Sequence, residues 1–193
     1  AILDAIGKLV VRDVDYPEID PEYGVLLKVR TCAVCGSDLR IFNSGNTRVQ
    51  YPQIIGHEIA GDVVEVGRRV ERFRVGDRVA LGADVPCGEC PECRDGHGNR
   101  CQTNYAIGYQ FPGGFAEYVA LNAQTVLFGP VHHIPDSMSF AAGSLAEPLA
   151  CCINGLELTQ VRLGSSVLIV GAGPIGCLLV QLARNMGATY WTC

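Results

Sequence analysis

The sequence predicts a mixed α/β protein: a compact, mostly antiparallel β-barrel followed by the opening of a parallel sheet. Three observations carry this. Short strands separated by glycine turns fill residues 1 to about 130, a loop holding four cysteines interrupts them, and an apolar strand then runs into a glycine-rich turn and a helix.

The elements follow in order. Pro17 to Gly24, rich in Pro, Glu, Asp and Gly, reads as a loop. Val25, Leu27 and Val29 then alternate with Leu26, Lys28 and Arg30, a strand with one mostly apolar and one mixed face. Gly61 to Gly67 is a second strand bounded by glycines, and Asp77 to Leu81 a third, entered through the Gly76-Asp77 turn. Residues Pro86 to Tyr105 lack hydrophobic periodicity and form an excursion held by something other than a core. Phe115 to Leu121 is a further strand, launched by Pro112-Gly113-Gly114.

From Ser137 the pattern turns helical, with Ser137 as N-cap and Ala141, Ala142, Leu145, Leu149 and Ile153 at helical spacing. Pro148 must kink or break that run. Ser166 to Val170 is an almost wholly apolar strand of the parallel-sheet kind. A helix from Cys177 to Met186 follows, capped by Gly187, and Thr189 to Cys193 begins another strand. One parallel strand and one helix cannot cover both faces of a sheet, so the sequence reads as part of a longer chain.

Composition narrows the function. At 193 residues, 48% hydrophobic and 18% charged, the chain can bury a core and is not disordered. It has no uninterrupted apolar run of about 18 residues, which speaks against a transmembrane helix and a membrane partner. With a net charge of −5 and scattered basic residues it is a poor match for nucleic acid. Ala1 to Val11 shows no export signal, so the ten cysteines imply a reducing, cytoplasmic setting rather than disulfides.

Cysteine placement points to metal. Cys87-x2-Cys90-x2-Cys93-x7-Cys101 can wrap one zinc tetrahedrally and close it to water, a structural site that pins the excursion loop. The ferredoxin-type spacing for an iron–sulfur cluster differs. A second set is dispersed: Cys35 in Cys35-Gly36-Ser37-Asp38 and His57 in Gly56-His57-Glu58 suit an open, catalytic zinc with three protein ligands. The third ligand is Glu58 or Glu147, and Asp38 could hold the other ring nitrogen of His57. Finally, Gly171-Ala172-Gly173-Pro174-Ile175-Gly176 satisfies G-x-G-x-x-G between a strand and a helix, the context of a dinucleotide site.

Together these motifs resemble the zinc-containing medium-chain alcohol dehydrogenases. Gly56-His57-Glu58-x2-Gly61-x5-Gly67-x2-Val70 matches the family's zinc signature, and the cysteine quartet and glycine loop follow in the family's order. Glu147-Pro148-Leu149 stands where ethanol-type members carry a zinc-binding Cys, which resembles the polyol, sugar and threonine dehydrogenase branch, sorbitol dehydrogenase among them.

The resemblance implies a GroES-like catalytic domain over residues 1–149, with a structural-zinc lobe at 86–105, and the start of a Rossmann domain at 150–193. It implies two zincs per chain: a catalytic one on Cys35, His57 and either Glu58 or Glu147, and a structural one on the quartet. It implies NAD or NADP on Gly171, Gly173, Pro174, Ile175 and Gly176, with Ile175 behind the nicotinamide. Ser37 would take the proton of an alcohol or polyol substrate, and Asp38 and Glu58 would support that chemistry. Arg40 departs from the His often found there in sorbitol-type enzymes and cannot act as a base, so the proton leaves through water or Arg40 serves otherwise, such as pairing a cofactor phosphate. A homodimer or homotetramer is implied for the intact enzyme. With half a nicotinamide site, these residues alone are expected neither to bind a dinucleotide tightly nor to turn over. Two other classes compete: a zinc-stabilised binding module without catalysis, and a zinc-independent quinone or enone reductase of the wider superfamily.

Overall fold

The computed structural model describes residues 1–192 and divides into two compact units, Ala1–Leu145 and Ala146 onward. That boundary falls four residues before the one expected at 149/150, because the chain leaves the first unit just ahead of a new helix.

The first unit opens with a hairpin, β1 (Ile2–Ala5) and β2 (Lys8–Val10). β3 (Val25–Ala33) leads into helix α1 (Gly36–Ser44), and β4 (Glu58–Val66) returns against β3. β5 (Arg78–Leu81) and β6 (Asp84–Val85) precede the short helix α2 (Pro91–Arg94), after which β7 (Tyr105–Ala106) pairs with β6 and closes the neck of the cysteine loop. β8 (Tyr118–Leu121), α3 (Ala123–Phe128), β9 (Val131–His133) and α4 (Phe140–Gly143) complete the unit.

Five strands form one antiparallel sheet in the order β8-β3-β4-β5-β9. The sheet and the β6–β7 pair share a core of Val25, Leu27, Ile59, Val63, Phe73, Val79, Leu81, Val85 and Ile107. A second cluster, Leu3, Ile41, Val49 and Ile55, packs α1 beside it, with Tyr109 and Phe115 at its border.

Several details differ from the expectation. Leu26, placed on the mixed face of β3, is fully buried, as are its neighbours Val25 and Leu27. The Gly61–Gly67 strand starts earlier, at Glu58, because register with β3 continues to Ala33. The Phe115–Leu121 strand starts later, at Tyr118. Helix α1 was not read from sequence, although Asp38 at its third position is a helix-start signal. The N-cap after residue 136 is Ser139, whose Oγ accepts the Ala142 N–H, and not Ser137.

The second unit comprises α5 (Ala146–Leu158), β10 (Ser166–Leu168), α6 (Pro174–Asn185) and β11 (Tyr190–Thr192). Pro148 neither kinks nor breaks a helix: it sits in the first turn of α5, where its missing N–H has no intrahelical partner to lose. Leu145 and Ile153 are exposed, and the helix instead buries Pro148, Cys152 and Leu156. The apolar strand ends at Leu168, and Val170 is 92% exposed. α6 begins at Pro174, three residues earlier than expected, with proline at a favourable first position. β10 and β11 run parallel, Ser166 opposite Tyr190, which makes a βαβ unit. Cys193, the expected end of that strand, lies outside the described residues. Among the described residues no helix is long and apolar enough to cross a membrane.

Candidate metal centres

The β3–β4 register builds the first centre. Ala33 pairs with Glu58, so the segment just after β3 and the segment just before β4 lie side by side. That pairing brings Cys35 and His57, twenty-two positions apart, onto one end of the sheet. The donor atoms of Cys35, His57 and Glu58 all lie within 4.8 Å of one another, a set that could hold a metal ion. His57 and Glu58 are buried and Cys35 half-buried, so a cation here faces three donors with little competing water.

Asp38 organises the cluster. From the first turn of α1 one carboxylate oxygen accepts the Cys35 N–H at 2.9 Å. The other stands 3.5 Å from His57 Nδ1, longer than a well-formed hydrogen bond, and neither of those two atoms has another partner. His57 Nε2 faces away from Asp38, 3.3 Å from Ser37 Oγ. Burial alone would lower the His57 pKa, but Asp38 and then Cys35 outweigh it and push the value up to about 9. The cluster therefore favours positive charge. Asp38 and His57 are each less than 5% exposed, so the electrostatic contact is poorly screened.

Gly56 is required next to His57. Its φ is +94°, and a Cβ there would lie 2.7 Å from Phe115 Cδ1 and 2.9 Å from Cys32 Sγ. Cys32 itself does not join the donors. Burial, followed by the charge of Asp38, pushes its thiol up to about 12, so it packs as a neutral group.

The second centre is the cysteine loop. Sγ–Sγ separations are 3.4 Å for Cys90–Cys93, 3.9 Å for Cys87–Cys93 and 4.0 Å for Cys90–Cys101. A tetrahedron with metal–sulfur bonds of ~2.3 Å has edges of about 3.8 Å, so the four sulfurs already lie near zinc geometry. Backbone N–H groups point at them: Cys87 and Asn104 each donate to Cys101 Sγ at 3.2 Å, and Cys90 donates to Cys87 Sγ at 3.3 Å. Desolvation would raise the Cys101 pKa, but these donors bring it down to about 6, the thiolate form that binds metal.

The glycine loop lies in the second unit, between β10 and α6. Gly171 has φ +111°, and a Cβ on Gly176 would fall 1.9 Å from Gly171 O, so helix and turn touch there. Gly173 caps α6, and Pro174 and Ile175 form its first turn. Glu147 is also in this unit, in the first turn of α5, with the Cys151 thiol 3.9 Å from its Oε1. Arg40 is exposed on α1. Sequence reasoning passed over Tyr109, whose ring lies 5.8 Å from that of His57, and Arg48, stacked on Tyr109 at 5.2 Å. No local pattern marks either.

Fold and site thus define a class: a GroES-like domain carrying two metal-donor clusters, followed by the first βαβ unit of a dinucleotide-type sheet. The alcohol dehydrogenase GroES-like domain model matches residues 21–136. Sorbitol dehydrogenase of Bacillus subtilis (strain 168) is 34% identical over 192 residues, covering 97% of this chain and 53% of the relative. L-threonine 3-dehydrogenase of Shewanella loihica is 36% identical over 199 residues, covering 97% and 56%. A crystal structure of a zinc-binding dehydrogenase of Sinorhizobium meliloti 1021 bound to NADP superposes with a TM-score of 0.89 at 39% identity, covering 98% of this chain and 54% of that one. The chain belongs to the zinc-containing medium-chain alcohol dehydrogenase family, in its polyol and threonine dehydrogenase branch. It spans about half the length of the curated relatives it matches.

Proposed function

We propose that this chain carries the zinc-holding part, and the opening of the dinucleotide-holding part, of an oxidoreductase. It transfers hydride between NAD(P) and a secondary alcohol of a polyol, sugar or amino alcohol. The observation that carries this reading is the convergence of Cys35, His57 and Glu58 donors within 4.8 Å. The mix of thiolate, imidazole and carboxylate suits zinc and leaves a fourth position for an alcohol oxygen.

A zinc held there would supply stabilisation of negative charge on a substrate oxygen. Cys35 and His57 would hold the ion together with Glu58 or Glu147, the other carboxylate acting through water. Asp38, which faces Nδ1 at 3.5 Å, would leave Nε2 as the nitrogen that takes the ion. Ser37 Oγ, beside that nitrogen, receives the substrate proton and passes it to water, since Arg40 cannot act as a base. Gly171, Gly173 and Gly176 would let the dinucleotide's pyrophosphate approach the start of α6, where Pro174 opens the helix, and Ile175 would stand behind the nicotinamide. Cys87, Cys90, Cys93 and Cys101 hold a second, structural zinc. On this reading residues 1–149 are the catalytic domain and 150–193 the start of the Rossmann domain, in a cytoplasmic homodimer or homotetramer.

Metal analysis tests the reading. Two zincs per wild-type chain, falling to one in Cys35→Ser and in His57→Ala, are expected. A single zinc in the wild type would support a non-catalytic module instead. Assay of the whole protein on sorbitol and threonine with NAD and NADP decides the substrate class, and activity that survives full zinc removal would overturn the mechanism.

A further inference from the structure

We propose that Arg48 is a positioning residue that ties the neck of the four-cysteine loop to the imidazole of His57, so that order in the loop sets the orientation of the ring. The links are contiguous and all lie in the first unit. Asn104, at the end of the loop, gives its N–H to Cys101 Sγ at 3.2 Å and its side-chain amide to Asp84 Oδ1 at 3.2 Å. Its carbonyl accepts a hydrogen bond from the Arg48 guanidinium. That guanidinium lies 5.2 Å from the centre of the Tyr109 ring, and the Tyr109 ring lies 5.8 Å from that of His57, tilted by 50°.

Each link has a physical reason to hold. Asn104 has φ +41°, a conformation that asparagine tolerates better than most residues and that its three hydrogen bonds fix. Gln53 Nε2 donates to the Tyr109 carbonyl at 2.8 Å, which fixes the Tyr109 backbone, and its ring packs between the second hydrophobic cluster, Arg48 and His57. His57 needs such support. Its Nδ1 is 3.5 Å from Asp38 without a formed hydrogen bond, so packing against Tyr109 contributes to where Nε2 points. A contiguous path of this kind is what coupling between two sites requires, and the coupling itself must be measured.

The proposal needs the metal reading above for one readout only. The test compares the wild-type chain with Arg48→Ala and Arg48→Lys, with zinc in the four-sulfur site for the spectra and with both sites empty at the start of the cobalt titration. Long-range ¹H–¹⁵N spectra follow the His57 ring nitrogens directly, and cobalt titration follows the affinity of the Cys35, His57 and Glu58 site. In Arg48→Ala the His57 resonances should shift, and cobalt affinity at that site should fall about tenfold, the usual scale for losing an outer support. The cobalt–thiolate bands of the four-sulfur site should stay unchanged. Lysine, which keeps the charge and a donor, should restore the resonances in part. Unchanged His57 resonances in Arg48→Ala, or an equal loss of affinity at both sites, would overturn the proposal. If the wild type takes up one cobalt only, the metal reading fails while the His57 resonances still decide the role of Arg48.

Discussion

One carboxylate of Asp38 spans two donors: it accepts the Cys35 N–H at 2.9 Å and stands 3.5 Å from His57 Nδ1. The group that starts helix α1 is therefore also the group that faces the imidazole. A helix cap and a metal-ligand support share one side chain, and removing it should disturb both.

Asp38→Asn keeps the shape and most of the capping ability but removes the charge. Zinc affinity at the Cys35, His57 and Glu58 site should fall by about 10- to 100-fold, read by competition with a chromogenic chelator. Helix content by circular dichroism should hardly change. Wild-type affinity in the variant would show that Asp38 does not support His57.

The cysteine loop has almost no core of its own, since α2 buries none of its residues. Stripping zinc should leave it open to protease between residues 88 and 100, with cuts mapped by mass spectrometry, and should lower the first melting transition by more than about 5 °C. Identical cleavage with and without chelator would mean that the loop does not depend on a metal.

Gly56→Ala places a methyl group against Phe115 and Cys32 on a backbone already at φ +94°. Strain and overpacking together should cost roughly 2–4 kcal/mol in urea unfolding. A loss no larger than that of an ordinary surface change, about 0.5 kcal/mol, would contradict the geometry.

His133 Nε2 lies 2.9 Å from Asp77 Oδ2, and that hydrogen bond, with the Arg74 N–H, holds the Asp77 carboxyl below its ordinary value. The unfolded chain takes up this proton first, near pH 4. The associated stability is complete above that pH and disappears as the pH falls through the lower, folded value. The pair is solvent-exposed, so its worth is under about 1 kcal/mol. Asp77→Asn should lower stability by up to about 1 kcal/mol at pH 7 and flatten the acid side of the profile, so that variant and wild type converge below about pH 4. An unaltered acid limb would argue against the pairing in solution.

Local chemistry was legible wherever the deciding residues are close in sequence. The spacing of Cys87, Cys90, Cys93 and Cys101 singled out a group whose sulfurs lie together, because three short intervals leave a loop few ways to part them. The strand–glycine–helix order around Gly171 to Gly176 likewise reads directly from composition, since the left-handed φ of Gly171 and the close approach of Gly176 to the Gly171 carbonyl are local steric demands. Helix boundaries were less legible: Ser137 and Ser139 are equivalent N-caps in sequence, and packing of α4 against β3 and β4 selects the second.

Other features belong to the tertiary structure alone. Leu26 is buried because both faces of β3 are covered over its first three residues, which no alternation pattern announces. Cys35 reaches His57 through the pairing of Ala33 with Glu58, a register set by strand partners far along the chain. Arg48, Asn104 and Tyr109 meet only because the β6–β7 neck carries the loop back beside the second cluster. Residue type and short spacing determine which groups are able to do chemistry; long-range strand register determines which of them share a site, because only the folded sheet brings distant backbone within side-chain reach.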